Sequence, residues 1–525
     1  MVDPRPHASV GERMGAVEDE DDRPREACGV VGLYLGAPAA TPAKEVERQT
    51  EPESESNQAA RLAFFALYAL QHRGQESAGI AACDGSGMRL HKAMGLVAQA
   101  FDERAMAGLT GHMAIGHNRY STTGGSQLIN AQPYRIETMW GPLAVGHNGN
   151  LTNTERLRRR LLERGVGLSG SSDSEVITQM MAAPPATAEA SGPDWIARFR
   201  ALIATAEGAY SLVVLTRQGV FAVRDPLGLR PLCLGTIADA SGAVRGHVVA
   251  SESCALGTVG ARYLREVAPG EIVHLGPLGL HSFAGDSAAA TPPQPALCVF
   301  EYVYFARPDS LLEDQSVHQV RQALGRQLAL EQPAQADVVI GVPDSAVPAA
   351  IGYAQALGLP YTEGLTKNRY IGRTFIEPSE ALRRSRVKLK YNALRANLVG
   401  RRVVLIDDSI VRGNTAGPLV KLLREDGGAR EVHVRVSSPP VRHPCFMGVD
   451  MATHDELIAH RLDATGIAAR IGADSVGYLS HDGMMAVVRA GPEAAARRAV
   501  GHCSACFTGH YPLVLEGQAA GGGVT

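Results

Sequence analysis

The sequence predicts a mixed α/β protein whose carboxy-terminal half carries a parallel, Rossmann-like sheet. Three observations lead there. First, the apolar run 402–406 ends at Asp407-Asp408, and a short loop containing Gly413 follows. Leu419, Val420, Leu422 and Leu423 then repeat at helical spacing, Gly427-Gly428 closes the pattern, and a second strand spans 431–436. This is a βαβ unit, with a first strand composed for burial on both faces. Second, residues 336–342 form another apolar strand, followed by a helix over 347–357 and by Gly358. That supplies a second βα half of the same sheet. Third, the amino-terminal half is rich in strands. The runs 113–118 and 143–148 each end at a polar cluster, and 210–215 and 219–224 follow.

Length and composition narrow the class. With 525 residues the chain is long enough for two to four domains. Its hydrophobic content of 45% and charged content of 20% are those of a globular protein. A net charge of −3 gives no general attraction to nucleic acid or anionic membrane. No apolar run is long enough to span a bilayer. The acid-rich first 27 residues lack the basic start and apolar core of a signal peptide. A cytoplasmic location is therefore expected, and structural disulfides are not. The eight cysteines must then be core residues, metal ligands or nucleophiles.

Order is expected to begin at Cys28, at the head of the strand 28–34. Cys28 fits a buried thiol. It also fits a nucleophile made N-terminal by removal of residues 1–27, with the α-amine beside it as base. Residues 37–58 have no apolar period and read as a surface insertion. Leu62, Phe65, Ala66 and Ala69 predict a helix that leads into the loop carrying Arg73. Arg119 suits bidentate pairing with a carboxylate. Asn148 and the backbone N–H of Gly149 suit a developing oxyanion. Asp173 fits either a helix-capping position or a partner for a substrate ammonium.

Together these residues say more than each alone. The segments CGVVG, QHRGQESAG, HNRYSTTG, GHNGNL and SDSE resemble the motifs of class II glutamine amidotransferases, in their order and approximate spacing. The resemblance spans residues 28–260. It implies an N-terminal nucleophile (Ntn) hydrolase fold, a four-layer αββα glutaminase domain with two antiparallel sheets between helix layers. It also implies roles. Cys28 is the nucleophile, Asn148 and Gly149 form the oxyanion hole, and Arg119 and Asp173 bind the glutamine α-carboxylate and α-amino groups. Arg73 lies near that pocket.

In the carboxy-terminal half, a loop feeding a helix N-terminus presents N–H groups and a positive dipole end to phosphate. Asp407 and Asp408 suit ribose hydroxyls or Mg²⁺. The segment DDSIVRGNT resembles the phosphoribosyl-diphosphate (PRPP) loop of type I phosphoribosyltransferases. The resemblance implies PRPP contacts from Asp407, Asp408, Ser409, Gly413, Asn414 and Thr415, and Mg²⁺ near Ser345, Asp407 and Asp408. Asn414 stands where many members have Thr. Lys367, Arg369 and the basic residues up to Lys390 fit a mobile lid over diphosphate. The aromatic stretch 300–310 fits a packed seam between domains.

Cys503-x-x-Cys506 alone fits zinc, a redox pair or two buried thiols. Read with YVYFARPDS, GVPDS and KNRYIGRTFI, the chain resembles the amidophosphoribosyltransferase family. SESCA, SPPVRHPCF and CSACFTG are similar to its iron–sulfur subgroup. That resemblance implies a [4Fe–4S] cluster on Cys254, Cys445, Cys503 and Cys506, a cleaved leader 1–27, a homotetramer and inhibition by purine nucleotides. The expected division is a propeptide 1–27, a glutaminase domain 28–260 and connecting strands with a linker 261–299. A phosphoribosyltransferase domain 300–465 and a C-terminal segment 466–525 complete it. The implied reaction makes 5-phosphoribosylamine, glutamate and diphosphate, the first committed step of purine synthesis. A non-enzymatic PRPP sensor is the alternative from another class. Such regulators carry a DNA-binding module, and no basic helix-turn-helix candidate precedes the PRPP loop. An amidotransferase with a sugar phosphate acceptor would lack that loop.

Overall fold

The computed structural model describes residues 28–36, 58–120, 125–183, 192–285, 294–368, 389–449, 451, 453–491 and 501–515. The leader 1–27, the insertion up to residue 57, Arg369 with the basic residues that follow it to Lys388, and the glycines 521–523 lie outside them.

The amino-terminal half is organised around its first strand, β1 (Gly29–Leu35), which is buried along its whole length. Val31, Leu33 and Leu35 pack toward the helix Gln58–Ala69, while Val30 and Tyr34 face a second sheet. Both faces of the strand are covered, so its sequence shows no polar alternation. The remaining strands are β2 (Ser77–Cys83), β3 (Met88–Met94), β4 (Met113–Arg119), β5 (Tyr134–Thr138), β6 (Gly141–Leu151) and β7 (Gly208–Thr216). They continue as β8 (Gly219–Arg224), β9 (Cys233–Ala238), β10 (Val244–Ala250), β11 (Arg262–Glu266), β12 (Glu271–Gly276) and β13 (Gly279–Ala284).

They form a seven-stranded sheet, β11-β9-β10-β1-β4-β2-β3, and a six-stranded sheet, β13-β12-β8-β7-β6-β5. The inner faces share one core that includes Val30, Ile115, Ala144, Val213 and Val249. A side chain at Gly32 would sit 2.8 Å from Val220 Cγ1, so a glycine is needed where the sheets approach. The helices Thr154–Glu163, Asp173–Ala182 and Trp195–Ile203 cover the outer face of the six-stranded sheet. The result is the αββα order of layers. The expected boundary at residue 260 is too early. Strand β11 pairs with β9, and β12 pairs with both β8 and β13, so residues 262–284 complete the two sheets.

His117 ties the sheets together. Its Nε2–H donates to the carbonyl of His147 in the opposite sheet at 3.0 Å. Burial holds its pKa down at about 3, although that hydrogen bond works the other way. The folded protein therefore resists protonating His117, whereas the unfolded chain takes up the proton near the ordinary value of 6.5. Acid should destabilise the fold progressively between about pH 6.5 and 3. At about 1.4 kcal/mol per pH unit, the loss from this residue reaches about 2 kcal/mol by pH 5. Urea titrations at pH 7 and 5 should show this loss in the unaltered chain and a smaller one in His117→Gln.

The carboxy-terminal half holds a four-stranded parallel sheet ordered Val338–Gly341, Arg402–Asp407, Glu431–Val436, Ser475–Tyr478. The last strand lies beyond residue 465, so this unit extends past the expected boundary. The helices Val317–Glu331 and Val347–Leu357 cross closely. A Cβ on Gly325 would lie 1.9 Å from the Ala349 carbonyl, so only glycine permits the contact. Phe300, Tyr302, Val303 and Phe305 are buried, and Phe300 stacks on Phe507 at 5.4 Å. The carboxyl ends of the first two strands lead directly to Ser345 and to Asp407-Asp408, where open α/β sheets bind ligands.

Candidate active sites and a cysteine cluster

Cys28 sits at the head of β1 and is nearly buried, with 8% of its surface exposed. Its thiol donates to the Tyr120 carbonyl at 3.4 Å, and the Tyr120 N–H points back at the sulfur at 3.5 Å. Register explains the meeting, because Gly29 pairs with Asn118 and so brings the end of β4 alongside Cys28. Burial pushes the thiol pKa up. The Tyr120 backbone and Arg119 pull it down, and Glu76 and Asp173 push it up again. Cys28, Arg119 and Asp173 thus share one electrostatic neighbourhood. A thiol kept protonated needs a base to become a nucleophile.

Arg119 is buried, lies 3.8 Å from Glu76 Oε2 and donates to the Gly125 carbonyl at 3.2 Å. Asp173 opens the helix Asp173–Ala182 and accepts the Leu151 N–H at 3.0 Å. Burial opposes its ionisation. His147 and the backbone amides of Leu151 and Ser174 outweigh burial and hold the carboxyl below its ordinary range. Asn148 is fully buried, and neither its amide oxygen nor its nitrogen has a partner among the described residues. Buried amides are normally paired, so an unpaired one at a strand end points to a ligand. Gly149 has φ +148°, and a Cβ there would lie 2.0 Å from the Ala209 carbonyl, so the position requires glycine. The structure does not bring Arg73 to this pocket as a free cation. Its guanidinium is taken up by Glu252 and Glu301, which lie far away in sequence.

The second site lies at the carboxyl end of Arg402–Asp407. Asp407, Asp408 and Ser409 are all buried. Ser345 donates to Asp408 Oδ2 at 2.5 Å, and Ser409 donates to Asp408 Oδ1 at 2.9 Å. The Asp408 N–H donates to Asp407 Oδ1 at 3.0 Å. Two hydroxyls and two buried carboxylates form an oxygen-rich group of the kind Mg²⁺ or ribose hydroxyls accept. Gly413 has φ +82°, the conformation that favours glycine, and Thr415 immediately precedes the helix Ala416–Glu425 without a side-chain capping bond. Asn414 is exposed, so the difference from Thr does not disturb packing. Lys367 pairs with Asp344 at 3.0 Å. The Asn368 N–H bonds the Lys390 carbonyl, which pinches together the two ends of the segment containing Arg369.

Comparison with known proteins fits both sites. Residues 117–257 match a glutamine amidotransferase domain and residues 309–438 a phosphoribosyl transferase domain. An amidophosphoribosyltransferase of Synechococcus elongatus is 48% identical, over 95% of this chain and 93% of that one. One of Homo sapiens is also 48% identical, over 86% and 93%. The chain belongs to the amidophosphoribosyltransferase family. It uses glutamine to aminate PRPP in purine biosynthesis. A solved glutamine PRPP amidotransferase from B. subtilis, complexed with ADP and GMP, matches with a TM-score of 0.80 at 40% identity, covering 94% of this chain and 98% of that one. Among the described residues, no helix is long and apolar enough to cross a membrane.

The cysteines of this amidophosphoribosyltransferase family member are arranged differently from the expected set. Cys445, Cys503 and Cys506 do come together, but their neighbour is Cys298, not Cys254. The short strand Ala296–Cys298 pairs with Gly501–Cys503 so that Cys298 stands opposite Cys503. Burial drives the pKa of Cys506 up, and the nearness of Cys298, Cys503 and Cys445 adds to the rise. Cys503 is pushed up to about 11, again mainly by burial. The Arg442 and His443 amides donate to the Cys506 carbonyl at 2.9 and 3.0 Å, which holds Cys445 nearby. Four gathered thiols, Cys506 buried and Cys298, Cys445 and Cys503 half-buried, would repel one another as thiolates and fit a cationic cluster, which offsets that repulsion. Among the described residues, no three His, Cys, Asp or Glu side chains are arranged to hold a single metal ion.

Cys254 lies instead in the helix Ser253–Thr258, 3.8 Å from Glu252. Its surroundings are Glu252, Ser310 and Arg307, none of them a second cluster cysteine. Cys298 sits in an apolar run that reads as core, so sequence alone does not set it apart. The available signal was its place just before the aromatic stretch, where the chain leaves one half for the other.

Proposed function

We propose that Cys28, freed as the N-terminal residue by removal of residues 1–27, attacks the glutamine side-chain amide. The α-amine takes the thiol proton and passes it to the departing ammonia. A thioester remains, and water hydrolyses it to glutamate. Arg119 and Asp173 hold the α-carboxylate and α-ammonium, and Asn148 and the Gly149 N–H receive the oxyanion. The observation that carries this reading is the buried Asn148 amide, unpartnered among the described residues and next in sequence to His147, which lies 3.7 Å from Asp173, a neighbour of Cys28. Ammonia crosses the seam around residues 300–310 and attacks C1 of PRPP, and diphosphate leaves. That step needs positioning and charge stabilisation more than a protein nucleophile. Asp407, Asp408, Ser409, Gly413, Asn414 and Thr415 hold the ribose and its phosphate, and Lys367 and Arg369 face the diphosphate. Ser345, Asp407 and Asp408 would hold Mg²⁺, which when bound offsets charge on the leaving diphosphate.

Asn148→Ala is the direct test. Loss of one oxyanion donor costs about 10²–10³ in kcat. Glutamate release should fall by that factor while ammonia-dependent synthesis stays unchanged. Equal losses in both would remove Asn148 from this role.

The four clustered cysteines support a [4Fe–4S] cluster that is structural or regulatory, since neither half-reaction is redox. Iron analysis of anaerobically purified protein should show iron lost in Cys298→Ser and retained in Cys254→Ser. The reverse pattern would restore the set expected from sequence. Purine nucleotides are proposed as inhibitors, supported by the ADP and GMP named for the B. subtilis structure. A homotetramer is proposed by family likeness, and a cytoplasmic location from the acid-rich, polar start of the sequence.

A further inference from the structure

Arg73 is a fully buried cation that neither half-reaction uses. Its Nε donates to the carbonyl of Cys28 at 3.2 Å. Its Nη1 donates to Glu252 at 2.6 Å and to Glu301 Oε2 at 3.0 Å, and its Nη2 donates to Glu301 Oε1 at 2.9 Å. Glu301 therefore grips the guanidinium through both of its oxygens, the geometry of a strong, orienting ion pair. It belongs to the turn Glu301–Phe305, outside both sheets of the glutaminase half and packed in the core of the phosphoribosyltransferase half.

The surrounding charges are equally fixed. Arg230 lies 3.4 Å from Glu301 and donates to the Met447 carbonyl at 2.8 Å. Glu252 meets His72 at 2.7 Å and accepts the Arg307 N–H at 2.8 Å and the Ser310 hydroxyl at 2.7 Å. Arg73, Arg230, Glu252 and Glu301 are all buried. Such a network is a poor source of stability, because desolvation consumes most of the Coulomb gain. What it does supply is position, and its one bond to the nucleophile residue ends on the Cys28 carbonyl.

We propose that Glu301 is a positioning residue for the Cys28 nucleophile, holding Arg73 on the Cys28 carbonyl from the half of the molecule that consumes the ammonia. This rests on the reading of Cys28 as the nucleophile. Once residues 1–27 are removed, Cys28 is tied to the chain through Gly29 alone, and chain ends fray unless they are held. The Arg73 bond then fixes the carbonyl side of the residue, and with it the direction of Sγ, which meets the Tyr120 backbone. A nucleophile displaced by about 1 Å can lose about 10² in rate.

The test uses full-length Glu301→Gln and Glu301→Ala beside the unaltered enzyme and Cys28→Ala. Glutamate release and ammonia-dependent phosphoribosylamine synthesis are measured on the same preparations. The expected result is a fall in kcat for glutamate release of about ten- to a hundredfold, with KM for glutamine and the ammonia-dependent rate little changed. Glu301→Asp, which keeps the charge on a shorter arm, should recover part of the loss. If Glu301→Ala does not accumulate as folded protein, the isosteric Glu301→Gln decides. Equal losses in both activities would reduce Glu301 to a structural role. Unchanged glutamate release with less product would mean a leaking seam. Either outcome overturns the proposal. Glutamate release that survives in Cys28→Ala would instead overturn the reading of Cys28.

Discussion

Replacing Asp407 and Asp408 together by Asn abolishes phosphoribosylamine formation from either nitrogen source, while glutamate release persists. The two carboxylates are buried at the end of a strand enclosed in the parallel sheet, and Ser345 and Ser409 are bonded to Asp408. Asn keeps the size of each side chain and removes the charge that ribose hydroxyls or Mg²⁺ would meet. C1 chemistry depends on orientation and charge stabilisation, each of which lowers the barrier by several kcal/mol, on the order of 3 or more. A loss of about 10³-fold or more is expected. Initial rates with glutamine and with ammonium chloride, at saturating PRPP, measure it. A double variant that still uses ammonia at a normal rate would move the PRPP site elsewhere.

Cys28→Ala gives the complementary result. Glutamate release falls to background, and ammonia-dependent synthesis continues at close to the unaltered rate. The sulfur is the attacking atom, so no neighbouring group replaces it. The side chain lies at the head of β1, outside the parallel sheet that carries Asp407 and Asp408. Loss of both activities would mean that the two sites are not separable in the way proposed.

Much of this arrangement is legible in the sequence because local pattern and tertiary role agree. The run into Asp407-Asp408 reads as a buried strand, and it is one. Gly358 closes its helix with φ +65°, as a C-terminal glycine should. Cys28 and Arg119 lie at the ends of strands predicted from apolar runs, and the pairing of Gly29 with Asn118 brings them together, while Asp173 reaches the same neighbourhood from the start of a helix. The parts that were not legible depend on partners distant in sequence. Arg73 stands within one of the site motifs, and only the fold shows that Glu252 and Glu301 occupy its guanidinium. Cys298 looks like any core cysteine until the short parallel pairing sets it opposite Cys503. Cys254, in a segment resembling a known motif, turns out to face Glu252. The strands at 262–284 look like a connection because order along the chain does not show which sheet edge they close.

The central claim is that one chain releases ammonia at Cys28 and delivers it to C1 of PRPP without mixing it with solvent. The measurement is the isotope content of the ribosylamine formed from amide-¹⁵N glutamine and PRPP in the presence of unlabelled ammonium. The predicted result is product that carries ¹⁵N far in excess of its fraction in bulk ammonia. Product labelled only in proportion to the bulk pool would contradict the account, because the two sites would then be joined by nothing more than diffusion through water.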